Sequence, residues 1–155
     1  MGDPPDDLIV TPGAADAESY VTVAEADTMA ANAGLTGWTG KSDDEKKAAL
    51  RRAAIEIDSH RFHDQVPWAD GQARAFPRAK DLGVIPAAVQ WTQVFQADFL
   101  AASAGYDASK WEGAKGAPMK DAGMGSPLCP LAFRTLARLI SRAGGYSPLT
   151  FPEPA

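Results

Sequence analysis

Cysteine is nearly missing from this chain of 155 residues: Cys129 is the single one. One thiol cannot close an internal disulfide, and no Cys/His spacing suggests a zinc site. Long hydrophobic runs are missing as well. Leu8-Ile9-Val10 is the longest apolar stretch near the start, far short of the ~18–20 residues of a membrane span. No basic segment precedes it, so no secretory signal is read there. Asp6 stands where a myristoylation pattern after Gly2 needs Ser or Thr. The expectation is a soluble protein of a reducing compartment with no membrane partner.

Large apolar side chains are scarce. Leu, Ile, Val and Phe together number 28 of 155, about 18%, against 30 alanines. Such a composition borders on that of disordered chains, but the net charge of −5 is too small to keep the chain open. It should fold around a thin core that neighbouring subunits complete, because small domains bury little surface on their own. Bases are scarce at one end: residues 1–45 hold ten acids and one base, Lys41, whereas residues 46–155 hold fourteen bases and ten acids. The acidic front of one subunit is suited to a basic face of the next. Net negative charge disfavours a sequence-independent DNA surface, which needs a basic patch.

What is present reads as helices. Residues 1–19, with Pro4, Pro5, Pro12 and Gly13, form an N-terminal arm. Thr22 with Glu25, and Ser42 with Glu45, are capping boxes, in which each side chain satisfies a backbone N–H that the helix leaves open. They predict helices over 23–33 and from 43 to about 61, the second with Leu50, Ala53, Ala54, Ile57 and Arg61 on one face. A Pro- and Gly-rich loop follows over 63–84. Pro86 opens a third helix over about 87–102, with Trp91, Phe95 and Phe99 four apart. Residues 104–129 form a long linker. A fourth helix runs from Pro130 to Gly144, and residues 146–155, with three prolines, form an extended tail.

No catalytic site is legible. Gly40-Lys41-Ser42 lacks the earlier glycine and the strand of a phosphate loop, and Ser42 serves better as a cap. His60 and His63 straddle a helix end without a third ligand at useful spacing. Cys129, between Leu128 and Pro130, reads as a buried inert thiol. No cofactor and no metal are expected. The candidate contact residues are of three kinds. Trp68, Phe76 and Pro77 are large groups in a loop beside Arg78; they either fold back on helices two and three or anchor another subunit. Arg134, Arg138 and Arg142, spaced by fours, make a basic stripe suited to an acidic neighbour. Tyr146, Leu149 and Phe151 project from the tail, the last two to one side of an extended chain.

The order of these landmarks carries a resemblance. Ser19-Tyr20-Val21 before Ala24-Glu25-Ala26-Asp27, then Trp38, then the run 45–53, then Gln72-Ala73-Arg74-Ala75-Phe76-Pro77-Arg78, then Ile85-Pro86, together resemble small tailed-phage proteins labelled DnaT-like single-stranded-DNA-binding. The likeness covers about residues 19–102. Arg74 replaces the usual Leu of the signature, and Phe76 the usual Trp. By layout these proteins also resemble head–tail adaptors, the connector or head-completion proteins of long-tailed phages.

Together with the helices read above, the resemblance implies a mainly α, four-helix adaptor-type domain (residues 20–145), with the loop 104–129 and the extended N- and C-terminal arms read from the residues alone. It implies a non-enzymatic structural virion protein of the head–tail junction, assembled in the host cytoplasm. Its partners would be the portal protein, other copies in a ring of about twelve, and the next neck or tail-completion protein. Genome DNA would pass through the channel without specific binding. The alternative is a single-stranded-DNA-binding accessory protein of phage replication, which needs a basic groove with stacking aromatics.

Overall fold

The computed structural model describes residues 8–63, 66–102 and 128–140. The described chain is helical: α1 is Val23–Ala33, α2 Asp43–Asp58, α3 Ala87–Ala102 and α4 Pro130–Leu136, with 3₁₀ turns at Ala79–Asp81 and Ala137–Leu139. No strand occurs among the described residues, only isolated antiparallel bridges pairing Phe62 with Ile140 and Pro67 with Arg78. None of these helices is long and apolar enough to cross a membrane. The linker 104–127 and the tail 146–155 lie outside the described residues, as do Arg142, Tyr146, Leu149 and Phe151.

Both capping boxes form. Thr22 Oγ1 accepts from the Glu25 N–H at 3.0 Å while Glu25 accepts from the Thr22 N–H at 2.9 Å. Ser42 and Glu45 repeat the exchange at 3.2 and 2.9 Å. Each box fixes where its helix starts and disposes of two otherwise open donors. Gly34 ends α1 in the left-handed region at φ 70°, which costs glycine little.

Two helices end earlier than the sequence predicts. α2 stops at Asp58 rather than Arg61. The Ser59 hydroxyl donates to the Glu56 carbonyl at 2.7 Å, and the His60 ring nitrogen lies 3.1 Å from the carbonyls of Glu56 and Ile57. These contacts occupy helix-end acceptors and free the chain to turn, which buries Phe62 to 1% exposure. Arg61 is therefore exposed rather than on the buried face. α4 ends at Leu136 and tightens into the 3₁₀ turn, after which Ile140 is extended and bridges Phe62.

α3 lies at the centre, packed against α1, α2 and α4. One apolar cluster joins Val21, Ala26, Ala30, Trp38, Leu50, Ala53, Val94 and Leu100. A second joins Tyr20, Ile57, Phe62, Phe76, Val89, Leu128, Leu136 and Ile140. Residues 8–19, read from sequence as an arm, lie against this body: Leu8 and Ala17 are buried, and the Glu18 N–H donates to the Ile9 carbonyl at 2.7 Å. Small residues permit close approach elsewhere. A Cβ on Gly37 would meet the Ala102 Cβ at 2.6 Å and the Asp98 carbonyl oxygen at 2.9 Å.

A polar layer crosses the core. Gln93 and Gln96 of α3 are fully buried, which requires partners for their amides. Gln93 donates to Ser19 Oγ at 2.7 Å and to the Leu50 carbonyl at 2.9 Å, and accepts from the Tyr20 N–H at 3.0 Å. Gln96 donates to Glu56 at 2.8 Å and accepts from the Cys129 N–H at 2.7 Å. α3 is thereby tied to α2, to the entry segment and to the start of α4.

Candidate interface site

The loop between α2 and α3 folds over the end of α2 and is held at several points. Its two sides pair where the Trp68 N–H donates to the Pro77 carbonyl at 3.2 Å and the Ala79 N–H to the Val66 carbonyl at 2.9 Å. Inside it, Gln72 accepts from the Ala69 N–H at 2.9 Å and donates to the carbonyls of Arg74 and Pro77 at 2.8 and 2.9 Å. One side chain closes the turn at both ends, which is the use of the glutamine in the Gln72–Arg78 motif. Phe76–Pro77 is a cis peptide bond.

Beneath the loop is a charged node. Tyr20, 3% exposed, donates its phenol proton to Asp58 and accepts from the Phe76 N–H at 3.3 Å. Arg74 pairs with the second Asp58 oxygen at 3.2 Å. Burial raises the Asp58 carboxyl above its ordinary value, although Tyr20 and Arg74 oppose the rise. Burial, with the Asp58 charge adding to it, drives the Tyr20 phenol well up, so it remains a donor. Arg74 is thus the counter-charge that this chain supplies to Asp58.

The sequence left open whether Trp68, Phe76 and Pro77 turn inward or outward. Phe76 and Pro77 are buried in the chain's own core. Phe76 packs edge-on to Phe62, ring centres 4.6 Å apart, and the Arg78 guanidinium lies 5.3 and 5.4 Å from the two ring centres. As anchors for a partner they are corrected: both turn inward, Phe76 against the Phe62 and Tyr20 rings, and Pro77 buried next to it in sequence. Trp68 differs. It is 45% exposed, with Gly13 and Gly83 against its indole: a Cβ on either would come within 3.1 to 3.2 Å of the ring. Both glycines have positive φ, 80° and 82°.

Around Trp68 the same loop exposes Val66 (58%), Leu82 (75%) and Val84 (67%). Leu82 sits in the left-handed region at φ 54°, a conformation costing a residue with a side chain about 1–2 kcal/mol. Sequence reasoning missed these three. The signal available was Leu82-Gly83-Val84, large apolar groups set in a turn beside glycine.

Arg134 and Arg138 are exposed on and just after α4. Arg138 reaches a small cleft of about 20 Å³ that it lines with Phe62, His63, Phe76, Arg78 and Lys80. No sequence signal joins Lys80 to Arg138; the bridge to Ile140 brings Arg138 to Phe62, and Phe76 and Arg78, packed on the Phe62 ring, bring Lys80. Other cations are occupied: Lys46 with Asp27 at 2.8 Å, Arg51 with Glu18 at 2.8 Å and Arg52 with Glu56 at 3.0 Å. No cluster of His, Cys, Asp or Glu suited to a metal ion occurs among the described residues. Cys129 is buried, and burial raises its thiol above the ordinary range. His60 is lowered by burial.

The chain belongs to the family described as "Putative DnaT-like ssDNA binding protein", whose model matches residues 7–115. No curated protein and no solved structure matches it.

Proposed function

We propose that this member of the family is a structural virion protein, a head–tail adaptor subunit that forms a ring under the portal of a tailed phage. The ring joins the portal to the neck or tail and extends the DNA channel. The observation that carries this reading is the clamped loop, which holds Val66, Trp68, Leu82 and Val84 in solvent. Exposed apolar groups on a rigid mount are the mark of a surface meant to be covered by protein. The partners assigned are the portal, other copies in a ring of about twelve and the next neck protein, with genome DNA passing without specific contact. The site of action is the virion neck, reached after assembly in the host cytoplasm. No catalysis and no cofactor are assigned.

Purified protein mixed with portal and imaged in negative stain tests the reading. A ring stacked on the portal is expected from the wild type, and Trp68→Ala should lose it while remaining helical. Failure of the wild type to join the portal overturns the reading. The family's description favours a second reading, a single-stranded-DNA-binding accessory factor. Nucleic-acid affinity here is expected to be weak and to fall steeply with salt, since the chain carries a net charge of −5. Tight single-strand binding that survives physiological salt would put the second reading first.

A further inference from the structure

The exposed apolar surface of the loop is built around one side chain. Val66 stands two residues before Trp68, and Gly83, between Leu82 and Val84, lies against the Trp68 indole: a Cβ there would meet the ring at 3.2 Å. Val66, Trp68, Leu82 and Val84 are all exposed. The charges beside them are segregated along the loop. At its base, where Pro67 bridges Arg78, lies Lys80, next to the Ala79 whose N–H pairs with Val66. His63 and Arg138 share a cleft with Lys80. The described acid beside them, Asp81, is half-buried and accepts from the Arg78 N–H at 2.7 Å.

At the tip of the loop the sign reverses. Asp70, two residues beyond Trp68, is exposed. The Ala73 N–H donates to the Ala14 carbonyl at 3.0 Å, which brings Asp16, also exposed, to the same end. Neither acid has an ion-pair partner among the described residues.

A surface with bases at one end, acids at the other and apolar groups between has a simple complement: itself, reversed. A two-fold axis crossing the loop at the level of Trp68 sets the base of one copy against the tip of the other, twice, and lays the apolar groups on one another. Such isologous contacts place residue i on j and j on i. A nucleic-acid strand is a poorer fit. It stacks its bases on aromatic rings and carries charge at every residue, whereas three of these four apolar groups are aliphatic and a strand running from Lys80 over Trp68 meets Asp70. A protein face charged with one sign meets like charge at one end.

We propose that this face of the loop is a pairing surface for a second copy of the chain, joined head to head. The centre of the contact is apolar, and its rim sets Lys80 and Arg138 of each copy against Asp16 and Asp70 of the other. Assembly through this face stops at two, because each copy uses up its patch. The pair goes beyond the ring-subunit reading: it keeps Trp68 covered in the free protein, and the portal competes with the second copy for the same surface.

Sedimentation velocity on the full chain without portal, over a concentration series at low salt, tests the pair. The wild type should pass from monomer to dimer and no further. Leu82→Asn removes an apolar group where φ is 54°, a conformation that asparagine adopts readily. It should stay helical by circular dichroism and dimerise about tenfold or more weakly, as on loss of an interface anchor. Two charge reversals follow, one with Lys80→Glu and Arg138→Glu, the other with Asp16→Lys and Asp70→Lys; all four residues are exposed. Each variant alone should dimerise about tenfold or more weakly, since like charges then meet twice. Mixed in equal amounts, the two should regain the wild-type affinity as a heterodimer in which every facing pair is again opposite. A wild type that stays monomeric to its solubility limit overturns the pair. So does association that runs past the dimer, that is indifferent to both reversals, or that the mixture fails to restore. Oligothymidylate that binds the wild type tightly and is lost in Leu82→Asn reassigns the face to nucleic acid and overturns the pair as well. The ring reading is judged separately, by attachment of the wild type to portal. Attachment by a chain that is monomeric on its own sinks the pair alone. A pair that behaves as expected in a chain that ignores portal sinks the ring alone.

Discussion

Replacing Tyr20 with Phe removes one oxygen from the node under the loop and leaves the ring packing in place. The Tyr20 ring keeps its edge contact with Phe76, 6.2 Å between centres, so the hydroxyl is the main loss. Two things follow from it. Asp58 loses a hydrogen bond to a buried charge, worth about 1.5–3 kcal/mol. The Phe76 N–H loses its acceptor; at 3.3 Å that bond is long, so its share is about 1 kcal/mol. The sum, about 2.5–4 kcal/mol, is a large fraction of the ~5–15 kcal/mol that holds a domain together.

Urea unfolding at neutral pH, followed by circular dichroism, measures this loss, and hydrogen exchange at the Phe76 amide shows whether the loop has lifted. The pH dependence has a definite sign. Burial raises the folded Asp58 carboxyl above 3.8, and Tyr20 opposes that rise. A raised carboxyl contributes stability that is fully present below the unfolded value and lost as pH rises through the folded one. Without Tyr20 the folded value rises further. The deficit of the variant should therefore be greatest near neutral pH and shrink on acidification. A cycle with Asp58→Asn should return a coupling of about 1.5 kcal/mol, within the range for residues in direct contact. A loss below about 1 kcal/mol with the Phe76 amide still protected would refute the node as the clamp of the loop.

Gly37→Ala should destabilise by about 1–3 kcal/mol, the usual cost of overpacking, because its new methyl meets Ala102 and Asp98 of α3; thermal melting measures it, and an unchanged midpoint would mean that the 34–42 loop yields freely. Asp27→Asn should flatten the acid limb of the stability curve. Burial raises Asp27, but Lys46 and the Trp38 indole outweigh it and bring the carboxyl below 3.8, so its stabilisation is present above that value and lost as pH falls through the folded one. Cys129 should react slowly with a disulfide reagent in the native protein and rapidly in urea, since its thiol is buried and raised; fast native reaction would show that the start of α4 opens.

How far the sequence was legible depends on how local the cause is. Thr22/Glu25, Ser42/Glu45 and Pro86 act within one turn, and the starts of α1, α2 and α3 follow from them. The end of α4 does not, because Ile140 turns to pair with Phe62, 78 positions away, and the Ser59 and His60 contacts that close α2 deliver Phe62 to that same distant partner. In α3 the aromatic stripe drew attention, yet Trp91, Phe95 and Phe99 are only partly buried. Gln93 and Gln96 occupy the interior, and nothing in their own neighbourhood shows that Ser19, Glu56 and Cys129 await them. The basic cleft was legible only as half of a stripe: Arg138 was singled out, while Lys80 and His63 join it through the fold.

The two glutamines of α3 have a consequence for how this sequence can drift. Alanine faces such as Ala49, Ala53, Ala54 and Ala97 are smooth, and smooth faces can slide or rotate past one another at little cost. An amide that must meet a particular carbonyl or hydroxyl acts like an indexing pin, since only one register satisfies it and every other leaves a buried polar group bare. Leucine at both positions would keep the bundle compact and helical while removing the reason to choose a single arrangement. In the ring proposed above that loss would be felt before the monomer showed it, because a ring closes only if every copy presents the same angle to the next.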